Sequence, residues 1–97
     1  MRNITFPEFC QIVEDAYAVV LDHNALSYPY VVQEEDEDGN IVYDRIEINY
    51  ADDYEQIEHS FYSDECEHIA INDEGEIDLI ANDESYAIQV LTIKKLV

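Results

Sequence analysis

The stretch from Glu67 to Ala81 reads EHIAINDEGEIDLIA, two short runs of alternating residues on either side of an Asp-Glu-Gly turn. In its second half, Glu76 and Asp78 alternate with Ile77 and Leu79. A period of two places the apolar side chains on one face of a strand and the carboxylates on the other. The stretch therefore predicts an antiparallel hairpin with one buried face and one acidic face.

The same kind of pattern extends in both directions from this hairpin. Downstream, a turn at Asn82–Ser85 leads into Tyr86–Val97, which is apolar on both faces and predicts a central strand. Upstream, the β-rich runs Tyr28–Gln33 and Ile41–Tyr50 flank an acidic turn around Asp38–Asn40, and Asp-Gly between such runs indicates a hairpin. We therefore expect about five antiparallel strands.

Two segments predict helices. Thr5 and Glu8 have the spacing of a capping box, and an apolar stripe with helical spacing runs from there to Leu21, with Asn24 as the stop. Asp52 to about Tyr62 predicts a second, shorter helix that starts with another capping-box spacing. The expected fold is a single α+β domain over residues 1–97, in the order α-β-β-α-β-β-β.

The charge of the chain is strongly one-sided. It has 24 acids, 4 bases and a formal net charge of −20 on 97 residues, with no lysine or arginine between Ile46 and Ile93. Such a surface repels nucleic acid and anionic membranes, so neither is expected as a direct partner. The charge also repels itself and opposes the compact state. We interpret it as an adaptation to a basic partner, the alternative being a merely solvated acidic face.

Compartment is indicated by what the chain contains. No uninterrupted apolar run follows the N-terminus, so no secretory signal is expected, and no stretch reaches the length of a membrane span. Cys10 and Cys66 are far apart in sequence and are expected to be free thiols in a reducing cytosol, with one disulfide between them as the alternative. The prediction is a cytoplasmic protein.

An incomplete calcium motif lies in the first hairpin. Glu34, Asp36, Asp38 and Gly39 stand where the first, third, fifth and sixth residues of an EF-hand loop would be. The last position requires a bidentate glutamate, and here it is Arg45. The flanking runs also predict strands instead of helices. An acidic hairpin turn is the preferred interpretation, and a calcium-binding module is kept as a lesser alternative.

Other chemistry is only weakly indicated. His59, Cys66 and His68 invite a zinc interpretation, but their spacing fits no common structural zinc pattern and a fourth strong ligand is missing. Cys66 with His68 could form a nucleophile-base pair, yet the neighbouring acids disfavour a thiolate. No glycine-rich phosphate loop is present. We therefore expect a binding protein without catalytic residues, metal or cofactor.

The acids themselves form regular rows. Alternate residues on a strand face lie about 6.6 Å apart, and residues three apart on a helix lie roughly 5–6 Å apart. Phosphates of B-DNA recur at about 3.4 Å of rise along each strand, and further apart through space. The predicted partner-binding residues are Asp52, Asp53, Glu55, Glu58, Asp64, Glu65, Glu67, Asp73, Glu74, Glu76 and Asp78. A secondary set is Glu34, Glu35, Asp36, Glu37 and Asp38.

A small α+β domain with almost exclusively acidic charge and a cytosolic signature resembles phage-type acidic DNA-mimic inhibitors, the group that includes the uracil-DNA glycosylase inhibitor and several anti-CRISPR proteins. The likeness lies in Glu67–Val97, two hairpin-linked acidic strands that end in AIQVLTIKKLV. The glycosylase inhibitor has two helices before its sheet, whereas here a hairpin separates the predicted helices. The resemblance implies a strategy and no particular site residue.

Two functions with the same electrostatics follow. One is a nucleic-acid mimic that blocks a basic nuclease, CRISPR effector or repair enzyme by occupying its nucleic-acid groove. The other is an immunity protein or antitoxin that neutralises a basic nuclease toxin. The genes next to this one would separate them, because a toxin gene favours immunity and phage or anti-defence genes favour mimicry.

Overall fold

The computed structural model describes residues 1–22, 26–51 and 56–91. These residues form one helix, α1 (Phe6–Glu14), and eight strands. The strands are β1 (Arg2–Asn3), β2 (Ala18–Leu21), β3 (Leu26–Glu35), β4 (Ile41–Ala51), β5 (Gln56–Tyr62), β6 (Cys66–Ile71), β7 (Glu76–Ala81) and β8 (Glu84–Leu91).

The strands make one antiparallel sheet in the order β1-β6-β7-β8-β2-β3-β4-β5. The domain is therefore mostly β, and the predicted α+β fold with two helices and about five strands is wrong. The predicted antiparallel hairpin over Glu67–Ala81 is confirmed by the pairing of β6 with β7. In β7, buried Ile77, Leu79 and Ala81 alternate with half-buried Glu76 and Asp78.

The predicted first helix is half right. The capping box is present, since Thr5 Oγ1 accepts a hydrogen bond from the Glu8 amide and Glu8 Oε1 accepts one from the Thr5 amide. The helix ends at Glu14, however, and Ala18–Leu21 forms strand β2. This strand pairs with β3 on one side and β8 on the other, so its short apolar run is that of a central strand.

The predicted second helix is also wrong where it can be compared. Gln56–Tyr62 is strand β5, at one edge of the sheet, and residues 52–55 lie outside the described residues, as does Asn24. Phe61 is buried and His59 half-buried, whereas Glu58, Ser60 and Tyr62 are exposed. That alternation is the period of a strand.

The sheet has an inner face, which carries the buried side chains and packs on α1, and an outer face. Phe9, Cys10 and Val13 of α1 join one core cluster with Ile46, Ile48, Phe61, Ile69, Ile77, Leu79 and Ile88. The Phe61 and Tyr86 ring centroids are 4.9 Å apart. Three strands separate β5 from β8 in the sheet order, so the sheet is curled until their inner faces meet.

A bulge adjusts this packing in β4. The register shifts opposite Val32 and Gln33, which makes Asp44 an extra residue. Strict alternation would have placed Val42 on the inner face with Ile46. Instead Val42 is 49% exposed and Tyr43 packs against the core.

Candidate functional site

The outer face of β3, β4 and β5 combines tyrosines with carboxylates. Residues that pair directly across an antiparallel sheet lie on the same face. The register gives three successive cross-strand rows on this face, which are Tyr28-Asn49-Glu58, Tyr30-Glu47-Ser60 and Val32-Arg45-Tyr62. We call these nine residues the tyrosine face.

Two tyrosines dominate the exposed apolar area of this face. Tyr28 and Tyr30 are each 62% exposed, although large aromatic side chains are mostly buried in folded proteins. The Tyr28 ring meets Tyr17 edge to face, with centroids 6.0 Å apart. A side-chain hydrogen bond with Tyr17 is the main cause that raises the pKa of Tyr28. Tyr17 thus orients Tyr28 at the margin of the face.

Arg45 occupies one end of the tyrosine face. Its guanidinium carbon lies 5.8 Å from the centroid of the Tyr62 ring. Its Nη1 is 2.7 Å from Asp44 Oδ2, and its Nε is 3.1 Å from Glu47 Oε1. The hydrogen bonds to Glu47 and Asp44 raise the pKa of Arg45 further above its ordinary value. An arginine therefore rests between a tyrosine ring and two carboxylates.

The β3–β4 hairpin ends in an exposed acidic tip. Five consecutive carboxylates, Glu34–Asp38, are all exposed, as are the flanking Gln33 and Ile41. We call residues 33–42 the acidic arm. Its carboxylates, Glu34–Asp38, were predicted as the secondary partner-binding set because charge on a loop is less well positioned than charge on a rigid element. In the structure, however, the turn at the tip is well defined.

Asp36 builds that turn. Its Oδ1 accepts hydrogen bonds from the amides of Asp38 and Asn40, at 2.9 and 2.8 Å. The bonds with Asn40 and Asp38 lower the pKa of Asp36. Gly39 has φ +82°, a conformation that favours glycine. Asp36 is thereby committed to the turn, while its acidic neighbours point charge outward.

The remaining predicted acids do not form a single row. Glu76 and Asp78 share the outer face of β7 but are half-buried. Glu65 lies in the turn after β5 and accepts a hydrogen bond from Asn82 Nδ2 at 3.1 Å, and exposed Glu67 lies at a bulge in β6. The pairing of β6 with β7 places Glu65 and Glu67 toward the opposite end of this hairpin from Glu76.

The other members of the predicted set are scattered. Glu58 is on the tyrosine face, Asp64 is in the turn after β5, and Asp73 and Glu74 are in the turn between β6 and β7. All of these are exposed. The remaining predicted residues, Asp52, Asp53 and Glu55, lie outside the described residues.

The zinc and nucleophile candidates are kept apart by the sheet. Cys66 pairs with Ala81 and packs against the core, whereas His68 pairs with Ile80 and is exposed, so the two lie on opposite faces. His59 stacks on Tyr50 and Phe61 and meets Tyr86 edge to face. Within the described ranges, no group of three or more His, Cys, Asp or Glu could hold a metal ion.

Burial is the main influence on the pKa of the Cys66 thiol. It raises the pKa of Cys66 to about 11, with smaller contributions from the charges of Glu65 and Asp64. The thiol is therefore protonated at neutral pH, as the acidic neighbours in the sequence indicated. Cys10 is buried, and its pKa is raised to about 12 by burial first and by Glu14 next.

A pocket of about 390 Å³ opens on the outer face of β6, β7 and β8. His68, Asp78 and Ser85 are among its lining residues. His68 and Ser85 pair with Ile80 from opposite sides, so two strand spacings, about 9.6 Å, separate their backbones.

The described bases are already paired with acids. Besides Arg45, Arg2 Nη1 lies 3.3 Å from Glu8 Oε2. The other two bases, Lys94 and Lys95, lie outside the described residues. The described surface therefore offers a partner many carboxylates and no arginine or lysine that is not in an ion pair.

The tyrosine face was not predicted from the sequence. Its signal was present, since Tyr28 and Tyr30 alternate with Ser27, Pro29 and Val31. Which of those two sets faces the core is settled only by the pairing with β4, where buried Ile46 and Ile48 lie opposite Val31 and Pro29.

No protein family, curated protein or solved structure matches this chain. In the described part of the chain, no helix is long and apolar enough to cross a membrane.

Proposed function

We propose that this protein is a non-enzymatic inhibitor that mimics nucleic acid and occupies the basic groove of a nucleic-acid-binding protein, such as a nuclease, a CRISPR effector or a repair enzyme. The free thiols Cys10 and Cys66 suit a reducing compartment, so the proposal places it in the cytoplasm.

The observation that carries the proposal is the charge distribution. The net charge is −20, and both arginines are paired with carboxylates on the folded surface. Complementary charge accelerates association and favours basic partners over others. Charge that is carried on strands and on a hydrogen-bonded turn is held in place before binding, which lowers the ordering cost of association.

The proposal is tested by capture and release. The protein is immobilised, a bacterial lysate is passed over it, and duplex DNA is added at constant ionic strength. We expect proteins with nucleic-acid-binding grooves to be retained and then released by the DNA. Release by salt alone, with no release by DNA or RNA, would show that the acidic surface does not compete for such grooves.

Two variants with the same change in net charge then show which acidic surface binds the partner. One changes Glu65, Glu67, Glu76 and Asp78 to Gln or Asn, and the other makes the same change at Glu34, Glu35, Glu37 and Asp38. Each removes four charges without removing side-chain volume, and the second spares the turn-forming Asp36. The variant that weakens capture more, and lowers its salt dependence, identifies the binding acids. Equal small losses would mean that only net charge matters.

A further inference from the structure

The tyrosine face offers an arginine of another protein the contacts that Arg45 makes within this chain. Arg45 lies over the Tyr62 ring at 5.8 Å while Asp44 and Glu47 accept its hydrogen bonds. A guanidinium can stack on an aromatic ring and bind carboxylates in its plane at the same time, which an ammonium group cannot do. This end of the face thus shows which side chain the arrangement suits.

The next two rows repeat the same chemistry. Tyr30 pairs directly with Glu47, and Tyr28 lies in the row that contains Glu58. Neighbouring rows are about 7 Å apart and neighbouring strands about 4.8 Å apart, so Glu47 lies beside Tyr30 and diagonally across from Tyr28. Glu58 lies two strands, about 9.6 Å, from Tyr28 between backbones, a separation that the Glu58 side chain and a guanidinium over the Tyr28 ring bridge together. Glu58 makes no ion pair with the described residues, and Tyr30 has no ring partner among them.

Exposure and charge indicate that the tyrosine face is a binding surface. Tyr28 and Tyr30, with Leu26 at 47% exposure beside them on β3, present apolar surface to solvent on a protein of net charge −20. Tyrosine and arginine are the residues most enriched at the energetic centres of interfaces. A second copy of this chain would bring like charge against like, whereas a basic segment brings opposite charge.

We propose that the tyrosine face binds an arginine-bearing segment of a basic partner, with guanidinium groups stacked on Tyr28 and Tyr30 and held by Glu47 and Glu58. The inference rests on the proposed function, and it adds the surface and the residue type that the surface selects. Acidic residues elsewhere attract any cation, and the tyrosine face distinguishes arginine from lysine.

The test uses two peptides, nona-arginine and nona-lysine, titrated into the ¹⁵N-labelled full chain and followed by NMR. We expect the arginine peptide to bind about fivefold or more tightly, since a guanidinium can stack on a ring and bind a carboxylate at once, whereas an ammonium group gives up one of these contacts, and each exposed ring contact is worth a factor of roughly two to five. Its largest chemical-shift changes should fall on Tyr28, Tyr30, Glu47 and Glu58.

Variants assign the preference to the rings. The double change Tyr28→Ser and Tyr30→Ser should abolish the preference for arginine and leave affinity for nona-lysine nearly unchanged. Tyr30→Phe should retain the preference, because the ring face remains. The matched control, Ile41→Ser with Val42→Ser, removes comparably exposed side chains from the acidic arm and should retain it too.

Three results would overturn the inference. They are equal affinity for the two peptides, shift changes confined to the acidic arm, and concentration-dependent shifts on the tyrosine face without peptide, which would indicate self-association. These outcomes are separable from the proposed function. If DNA fails to release the captured proteins, the mimicry proposal is refuted, whereas a measured preference for arginine still stands. If the two peptides bind equally, the inference about the tyrosine face is refuted, whereas release by DNA still supports mimicry.

Discussion

At the scale of single residues, two hairpin turns use the same device. Asn72 Oδ1 accepts hydrogen bonds from the amides of Glu74 and Glu76, as Asp36 Oδ1 does from Asp38 and Asn40. In each turn the fourth residue is a glycine with φ +82°. An Asn or Asp side chain that imitates a backbone turn explains why such acidic segments reverse direction in a fixed register.

This equivalence predicts the behaviour of Asp36. Its lowered pKa means that it stabilises the fold above the ordinary carboxyl range, and that this contribution is lost as the pH falls through the lowered value. Asp36→Asn should retain the melting temperature at neutral pH, because Asn72 performs the same role. Asp36→Ala should lower it. Thermal unfolding followed by circular dichroism checks both variants.

The acid dependence provides the control for that comparison. Between neutral pH and about pH 3, the wild type should lose more stability than Asp36→Asn, which has no carboxyl to protonate at this position. Equal losses in the two proteins would show that the Asp36 turn does not contribute to the acid sensitivity.

The two thiols give a second prediction at this scale. Burial raises the pKa of Cys10 to about 12 and that of Cys66 to about 11, and only the thiolate is reactive. An aromatic disulfide reagent at mildly alkaline pH should therefore label both cysteines slowly in the native protein and rapidly in guanidinium chloride. Fast labelling of the native protein would contradict the burial of Cys10 and the partial burial of Cys66.

At the scale of elements, α1 is structural. Val13 is buried in the core cluster formed by the helix and the sheet. Val13→Asp would bury an unpaired charge at a cost of several kcal/mol, comparable with the whole stability of a small domain. We expect this variant to be unfolded by circular dichroism.

A neighbouring position on α1 serves as the control. Gln11→Asp adds the same charge at an exposed helix position and should remain folded. If Val13→Asp kept its melting temperature and lost only partner binding, the helix would be an interface and the assignment of the core would be wrong.

The elements also show how far sequence patterns reach. The hairpin from Glu67 to Ala81 was predictable because its alternation, its turn and its acidic face all agree. β2 was missed because Val20 and Leu21 also continue the helical spacing of α1. Short apolar runs fit both periods, and pairing with β3 and β8 decides between them.

The sequence predicted that the candidate site is acidic, but it predicted less well where on the fold the site lies. Acid-rich strands and turns are visible in the chain, so the acidic arm was named. The half-burial of Glu76 and Asp78 and the tyrosine face both depend on the curl and register of the sheet, which bring distant residues together. The periodicity of a single sequence predicts neither the curl nor the register of the sheet.

At the scale of the whole molecule, the net charge opposes the folded state. A net charge of −20 on one domain repels itself. Raising salt from about 10 mM to 150 mM shortens the screening length from roughly 30 Å to 8 Å. The melting temperature should rise over this range. An unchanged or lower value would mean that bound cations compensate the carboxylates locally, and would favour the metal-binding alternative.

The central claim is that this protein occupies a nucleic-acid groove, and competition tests it most directly. A captured partner is purified and bound to fluorescently labelled DNA or RNA that it recognises, and this protein is titrated in while anisotropy is measured. The account predicts complete displacement, with apparent affinity that falls as competing nucleic acid is raised. Simultaneous binding of this protein and nucleic acid to the partner, without mutual weakening, would contradict mimicry.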